Sequence, residues 1–171
     1  YPDMCQMAKT RNDVLNAADV LVGVDALNAE DLSELKHGAV VVGMVSPYQD
    51  QQRFKQAAAN NITVFSMELI PRTTRAQAMD VLSSQASVAG YKAVLLAANE
   101  APRFFPMLTT AAGTIRPASV LVIGAGVAGL QAMATARRLG ANVTGYDVRP
   151  ETVEQVKSLG AKFLDLGVQA V

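Results

Sequence analysis

The chain has 171 residues, enough for one ordinary domain or two small ones with a sizeable hydrophobic core. Its 15 basic and 15 acidic residues leave a formal net charge of zero, which gives no general attraction for nucleic acid or an anionic membrane. The single Cys5 excludes an internal disulfide framework, and no apolar run reaches the roughly 18–20 residues that a membrane-spanning helix needs.

The first part of the chain alternates short β-branched runs with helical patterns. Strands are predicted at 19–24, 39–45 and 62–66. Between them, one helix begins after Asn28, whose side chain can cap it, and closes at Gly38, and another covers 47–59. Strands that alternate with helices of this length indicate βαβ units on a parallel sheet.

A long helix is predicted over 73–101, because small apolar residues recur there at helical spacing without an internal proline. Prolines and glycines then mark 101–117 as a linker. A second alternation follows, with strands at 119–123, 142–147 and 162–164 and helices over 126–139 and 151–159.

The predicted fold class is α/β, with two Rossmann-like parallel-sheet units flanking a cleft. The first domain covers residues 1–100, including the long helix, and the second covers 118–171 after the linker at 101–117. The second unit stops after its third strand, whereas a classical dinucleotide fold continues into another βαβ half. Residues 1–3, Tyr-Pro-Asp, are not a natural start either. Both features predict an excerpt of a longer protein.

A glycine-rich motif joins the first strand and helix of the second unit. Gly124, Gly126 and Gly129 have the G-x-G-x-x-G spacing, with Ala125 and Val127 among them. The first glycine permits a tight turn, the second lets a pyrophosphate approach, and the third lets the helix lie close to the strand. Unpaired N–H groups at the helix N-terminus would bind the phosphates. The motif predicts a bound dinucleotide, and the alternative is a tight junction without a ligand.

The acidic Asp147 follows the second strand of this unit, as expected for a residue that binds the adenosine ribose. Its carboxylate can accept both ribose hydroxyl hydrogens and would repel a 2′-phosphate. NAD(H) rather than NADP(H) is therefore the predicted cofactor. Arg149 is a further cofactor-binding candidate, because an arginine near this position sometimes accommodates the 2′-phosphate, although here it follows the acid instead of replacing it.

A second polar cluster precedes the long helix, at a strand exit of the kind where ligands collect in parallel sheets. Its candidate residues are Arg72, Gln77, Asp80 and Ser83. Gln77, Asp80 and Ser84 are three and four residues apart, so they share one helical face if that turn is helical. From the residues alone the alternative is helix capping by Thr73 or Thr74, with the charges in solvent.

Two long runs, PRTTRAQAMDVLSSQASVAGY at 71–91 and FPMLTTAAGT at 105–114, together with the glycine motif, resemble the NAD(H)-binding component of proton-translocating transhydrogenase. In that family a loop with Arg, Gln and Asp holds the nicotinamide end of NAD(H). Matched residue by residue, the resemblance implies that Arg72, Gln77 and Asp80, with Ser83 beside them, act in catalysis by positioning the nicotinamide.

The resemblance also implies hydride transfer from NADH bound here to NADP⁺ on a separate NADP(H)-binding component, with a transmembrane component that couples transfer to proton movement. It implies that this component forms a homodimer and lies as a soluble domain against the bacterial inner membrane or in the mitochondrial matrix. An alanine dehydrogenase-like amino-acid dehydrogenase shares the architecture and the glycine motif and is the alternative. An NAD-sensing module without catalysis is a third hypothesis.

No metal site and no nucleic-acid partner are predicted. One histidine and one cysteine are too few for a zinc site. His37 follows Lys36 in the last turn of a predicted helix, where a cation is favoured, so a structural role is expected.

Overall fold

A computed structural model of the chain describes residues 4–24, 27–49 and 51–168. The unusual start at residues 1–3 lies outside these described residues. The chain divides into two compact units that meet in sequence between Val81 and Leu82. Each unit contains a three-stranded parallel sheet, so the prediction of two Rossmann-like α/β units is confirmed.

The first unit places helices between the strands of a parallel sheet. In chain order its elements are α1 (Arg11–Ala17), β1 (Val20–Gly23), α2 (Ala29–Glu34), β2 (Val40–Gly43), α3 (Gln51–Ala59) and β3 (Thr63–Ser66), followed by two 3₁₀ helices at Met67–Leu69 and Thr74–Met79. The strand order is β1-β2-β3, and Val40 of the central strand is paired with Val20 and Thr63. The carboxyl ends of the three strands therefore meet at one edge of the sheet.

The core of this unit contains one residue from each strand. Leu21, Val41 and Val64 pack against apolar side chains of the three helices. The start of α2 is as the sequence predicts, because the Asn28 side chain accepts the N–H of Asp31 at 2.7 Å and the Asp31 carboxylate accepts the N–H of Asn28 at 3.0 Å. This reciprocal cap satisfies two N–H groups that the helix itself leaves unpaired.

The second unit begins in a long helix and ends in a parallel sheet. In chain order its elements are α4 (Val81–Glu100), the antiparallel pair β4 (Leu108–Thr110) and β5 (Gly113–Ile115), β6 (Ser119–Ile123), α5 (Val127–Arg138), β7 (Asn142–Tyr146), α6 (Thr152–Ser158) and β8 (Lys162–Phe163). The parallel strands lie in the order β6-β7-β8. The central β7 pairs Asn142 with Ser119 and Gly145 with Phe163.

The second core is closed by α5, α6 and α4. Met133 of α5 and Val156 of α6 have no exposed surface and pack with Val143 of β7. Helix α4 approaches α5 so closely that a Cβ added to Gly90 would overlap the carbonyl oxygen of Ala128. Only a residue without a side chain fits at this crossing, because the obstructing group is backbone rather than a movable side chain.

We therefore expect Gly90→Ala to lower the free energy of unfolding by about 1–3 kcal/mol, the usual cost of overpacking. In an unobstructed helix the same change would raise the free energy of unfolding by about 1 kcal/mol. The sign of the change therefore shows whether the two helices cross as closely as the structure indicates. Denaturant unfolding of the full-length protein measures it. The control Gln85→Ala, at an exposed position of α4, should change the value by less than about 0.5 kcal/mol. A more stable Gly90→Ala protein would contradict the close crossing.

Several segments differ from the sequence-based expectation, among them α2, which ends at Glu34 instead of reaching Gly38. Helix α1 was not predicted, although Thr10 and Asp13 form a capping box at its start. The predicted long helix begins later than expected, because 74–79 is a 3₁₀ helix and α4 begins at Val81. The predicted linker contains the β4–β5 hairpin. Within the described ranges, no helix has both the length and the apolarity to cross a bilayer.

Candidate functional site

The glycine motif forms the turn between β6 and α5. Gly124 has φ +96°, which favours glycine, and its N–H donates to the carbonyl of Tyr146 on β7 at 2.7 Å. A Cβ on Gly129 would overlap the carbonyl oxygen of Gly124, so the first turn of α5 lies directly against the strand exit. These two glycines are required by the protein's own packing and backbone conformation.

Gly126 differs from its neighbours because the protein itself does not require it. It is the N-cap residue of α5 with φ −79°, a conformation open to any residue, and no side chain caps the helix there. A Cβ built on Gly126 would meet no atom within 4 Å. The N-terminal end of a helix attracts anions through its unpaired N–H groups and its dipole. Gly126 therefore leaves room for an anionic group at that end.

Asp147 lies at the end of β7, next to this turn, and its side chain is 7% exposed. One carboxylate oxygen accepts the N–H of Ala125 at 2.6 Å. The Arg149 side chain donates to both oxygens, at 3.0 and 2.9 Å, and the Arg149 N–H donates at 2.9 Å. The carboxylate is therefore held in place by the glycine turn on one side and by its own loop on the other.

The charge of Asp147 is fixed by these partners. Hydrogen bonds from the Arg149 guanidinium, helped by the Ala125 N–H and opposed by burial, hold the pKa of Asp147 well below its usual range. The carboxylate is thus ionised at every pH at which the protein would be assayed. Arg149 is about half exposed, so its side chain has room to rearrange when a ligand approaches the carboxylate.

The second candidate cluster lies after β3, at the end of the first unit, except for Ser83, which lies in the first turn of α4. Arg72 and Gln77 are exposed, while Asp80 and Ser83 are partly buried. Gln77 lies in the 3₁₀ helix Thr74–Met79, and Asp80 ends that helix with ψ 88°. Because Asp80 interrupts the helical backbone between this 3₁₀ helix and α4, the condition under which Gln77, Asp80 and Ser84 would share one helical face is not met. Buried Ala76 holds the 3₁₀ helix against the protein.

A third cluster, which the sequence did not single out, joins the exits of β2 and β3. The Glu68 carboxylate accepts the N–H groups of Val45 and Ser46 at 3.1 and 2.7 Å and the Ser66 hydroxyl at 2.7 Å. Burial alone would raise the pKa of Glu68, but these hydrogen bonds outweigh it and hold the pKa below its usual range. The available signal was an acidic residue two positions after a predicted strand.

The same loop is held from the other side by buried Arg53 of α3. Its guanidinium donates to the carbonyl oxygens of Val45 and Ser46, the latter at 2.8 Å, and to that of Leu27 at 3.1 Å. Ser46 has φ +46°, which costs a non-glycine residue on the order of 1 kcal/mol. The N–H groups bound to Glu68 and the carbonyls bound to Arg53 together maintain this conformation.

Fold and site together define a class of protein. A parallel sheet with a glycine turn, an open helix N-terminus and an ionised acid at the next strand exit is the arrangement of dinucleotide-binding Rossmann domains. In the described part of the chain, no group of three or more His, Cys, Asp or Glu side chains is placed to hold a metal ion.

Comparison with known families identifies the relatives within this class. The description "Alanine dehydrogenase/PNT, N-terminal domain" matches residues 3–89, and "Alanine dehydrogenase/PNT, C-terminal domain" matches residues 93–170. The chain therefore belongs to the alanine dehydrogenase/PNT family.

Several relatives within the family are named as transhydrogenases. The chain is 51% identical over 161 residues to the first of the separate parts of NAD(P) transhydrogenase subunit alpha in Rickettsia prowazekii, covering 92% of this chain and 42% of that protein. It is 46% identical over 170 residues to the protein of the same name from Rhodospirillum rubrum, covering 96% and 44%. The transhydrogenase structure from Sinorhizobium meliloti superimposes with a TM-score of 0.86 at 52% identity, covering 90% and 46%. The resemblance to transhydrogenase is thus confirmed.

The alternative relative is more distant. Alanine dehydrogenase of Mycobacterium tuberculosis is 27% identical over 167 residues, covering 92% of this chain and 42% of that protein. The chain spans a little under half the length of the curated relatives it matches.

Proposed function

We propose that this chain is part of the NAD(H)-binding component of a proton-translocating transhydrogenase, which transfers hydride between NADH and NADP⁺ held on a partner component. The observation that carries the proposal is the pairing of an unobstructed Gly126 with the ionised carboxylate of Asp147. The sequence identity of 51% and 46% to two transhydrogenase relatives supports hydride transfer between nicotinamide nucleotides as the reaction.

The residues of the second unit fit the adenosine and pyrophosphate parts of NAD(H). The first N–H groups of α5 and the space beside Gly126 suit the pyrophosphate, with Ala125, Val127 and Gly129 forming the turn. Asp147 would accept the ribose hydroxyl hydrogens. In this structure Ala125 and Arg149 donate two hydrogen bonds to each of its oxygens. The half-exposed Arg149 side chain would therefore have to move aside, which frees one lone-pair position on each oxygen for the ribose.

The residues that would act on the nicotinamide end are Arg72, Gln77 and Asp80 of the first unit, with Ser83 beside them in the first turn of α4. The Gln77 amide and the Asp80 carboxylate can bond a carboxamide, and Arg72 can contact the ring edge or the partner's cofactor. The nicotinamide supplies the hydride chemistry. Hydride transfer needs no acid or base from the protein, so these side chains would act by positioning the nicotinamide. Positioning can lower the activation free energy by several kcal/mol.

The wider assembly is also a proposal. We assign residues 1–100 to an N-terminal α/β domain, 101–117 to a linker and 118–171 to the first half of the NAD domain. A homodimer of this component would work with an NADP(H)-binding component and a transmembrane proton channel. It would lie at the bacterial inner membrane or in the mitochondrial matrix. The relatives' name, subunit alpha, is consistent with such partners.

Replacing Asp147 tests the cofactor assignment. In the full-length component, Asp147→Ala is expected to weaken NADH binding by about 1–3 kcal/mol, the scale for a hydrogen bond to a charged group. NADPH affinity should fall less or rise, because the carboxylate that repels a 2′-phosphate is gone and Arg149 is released from it. Isothermal titration calorimetry with both nucleotides measures the two effects.

Two variants sharpen this test. The control Glu154→Ala removes an exposed carboxylate on α6 and should change neither affinity. Adding Arg149→Ala to Asp147→Ala should abolish any gain in NADPH affinity, because the guanidinium that would accept the 2′-phosphate is then absent. Equal losses for NADH and NADPH in the single variant would refute the assignment.

A further inference from the structure

We propose that Glu68 is a positioning residue for the segment Arg72–Asp80, acting through the hydrogen bonds by which it joins the exits of β2 and β3. The inference rests on the function proposed above, in which that segment holds the nicotinamide. It assigns a role to a carboxylate that would not itself contact the cofactor.

Glu68 is fixed from three directions. The N–H groups of Val45 and Ser46 come from the loop after β2, and the Ser66 hydroxyl comes from the end of β3. A carboxylate can accept all three, because its two oxygens carry about four lone-pair positions. The 3₁₀ helix Met67–Leu69, which contains Glu68, is therefore tied to the edge of the sheet on both neighbouring strands.

The loop that receives Glu68 is itself rigidly held. The Arg53 guanidinium donates to the carbonyl oxygens of Val45 and Ser46, whose N–H groups are taken by Glu68. The N–H groups of this segment thus bind a carboxylate, and its carbonyl oxygens bind a guanidinium. Each charged group polarises the peptide groups between them, so the hydrogen bonds strengthen one another. Glu68 is thus anchored to a fixed part of the unit rather than to a mobile loop.

The chain between Glu68 and the nicotinamide segment is short and stiff. Arg72 follows Glu68 by four positions in the chain, so their Cα atoms are at most about 14 Å apart. Pro71 has a fixed φ and keeps Ile70 extended, at φ −59° and ψ 127°. A displacement of Glu68 is therefore passed to Arg72 with few torsions to absorb it.

Local hydrogen bonds continue this stiffness to the end of the segment. The Thr73 N–H donates to the Pro71 carbonyl at 2.9 Å, the Ala76 N–H to the Thr73 carbonyl at 3.0 Å and the Asp80 N–H to the Gln77 carbonyl at 3.2 Å. The segment thus consists of successive turns, with its first fixed point at Glu68. Because rate depends on the position of the nicotinamide more steeply than affinity does, a small shift here should affect turnover first.

The test is Glu68→Gln in the full-length component assembled with its NADP(H)-binding partner. An amide keeps the size but loses the charge. Because Val45 and Ser46 donate to different oxygens of Glu68, the NH₂ group of the amide would face the N–H of one of them and break that hydrogen bond. We expect kcat for hydride transfer to an NADP⁺ analogue to fall by about 10- to 100-fold. The dissociation constant for NADH should change by less than about threefold, because the adenosine-binding residues are not altered. The thermal unfolding midpoint of each variant is measured together with kcat and the dissociation constant, in order to detect general destabilisation.

Two further variants keep the test interpretable if Glu68→Gln folds poorly. Ser66→Ala removes one of the three hydrogen bonds and should give a smaller fall in kcat with the same unchanged NADH affinity. The control Glu34→Gln changes an exposed acid of the same unit, whose side chain is hydrogen-bonded to Asn16 at 3.4 Å, and should leave kcat unaltered.

The outcomes separate this inference from the function it rests on. If wild-type protein transfers no hydride with the partner present, the proposed function fails. If wild type is active and Gln77→Asn slows it but Glu68→Gln and Ser66→Ala do not, only the positioning role is refuted. Parallel losses of kcat, NADH affinity and unfolding midpoint in Glu68→Gln and Ser66→Ala would also refute it, because they would indicate general destabilisation.

Discussion

Gln77→Asn and Asp80→Asn should each slow hydride transfer by about 100-fold, because moving a reacting group by about 1 Å can cost that much in rate. Asn at position 77 shortens the side chain by one methylene, so its amide no longer reaches the same point. Asn at position 80 keeps the shape but loses the charge. NADH affinity should change much less, since the adenosine end supplies much of the binding. Stopped-flow measurement of a single turnover, together with NADH titration, separates the two quantities.

The matched control for these changes is Gln85→Asn, the same chemical substitution at an exposed position of α4. It should leave both rate and affinity unaltered. Unchanged turnover in both test variants would refute the positioning role of Gln77 and Asp80. It would favour the alternative given by the residues alone, in which this segment only caps a helix and its charges lie in solvent. A loss of affinity as large as the loss of rate would mean that the segment binds the cofactor without positioning it.

Gly126→Val should weaken NADH binding by more than 100-fold, or about 3 kcal/mol, while the protein stays folded. A Cβ at this position meets no protein atom within 4 Å, so its branched side chain would fill only the space assigned to the pyrophosphate. The stability cost should be about 1 kcal/mol or less, the ordinary penalty for a residue that caps a helix poorly. Calorimetric titration and denaturant unfolding measure the two effects on one preparation.

Gly129→Ala provides the contrast within the same motif. Its Cβ would overlap the Gly124 carbonyl oxygen, so we expect a loss of unfolding free energy of about 1–3 kcal/mol even without cofactor. The two substitutions thus distinguish a glycine that leaves space for the ligand, Gly126, from one that is required by packing within the protein, Gly129. If Gly126→Val destabilised the free protein as much as Gly129→Ala, or bound NADH normally, the space beside Gly126 would not be the pyrophosphate site.

The strands of both parallel sheets could be predicted because their signal is local. Runs such as 39–45 and 119–123 combine β-branched residues with flanking turn residues, and the structure places β2 and β6 within them. The glycine motif was also predictable, since the turn between a strand and a helix depends on neighbours in the chain. Strand ends were less certain, and β2 is shorter than its predicted run.

The segments that were missed had ambiguous or weak local signals. Spacing of three and four residues suits both a 3₁₀ and an α-helix over so short a stretch, so 74–79 could not be distinguished from the start of α4. The β4–β5 pair has three residues in each strand, too few to show alternation. Helix α1 is different, because the capping residues Thr10 and Asp13 were visible in the sequence.

The sequence by itself determined the α/β class, the glycine turn and the identity of Asp147 as the acid that follows the next strand. Only the tertiary structure decided that Asp147 is held by the Ala125 N–H and that Glu68 takes the N–H groups of Val45 and Ser46. These partners are distant in the chain, 22 or 23 residues apart. They meet because parallel pairing brings the carboxyl ends of neighbouring strands to the same edge of a sheet. Strand order and register therefore decide these contacts, and neither is encoded in the local pattern of a strand.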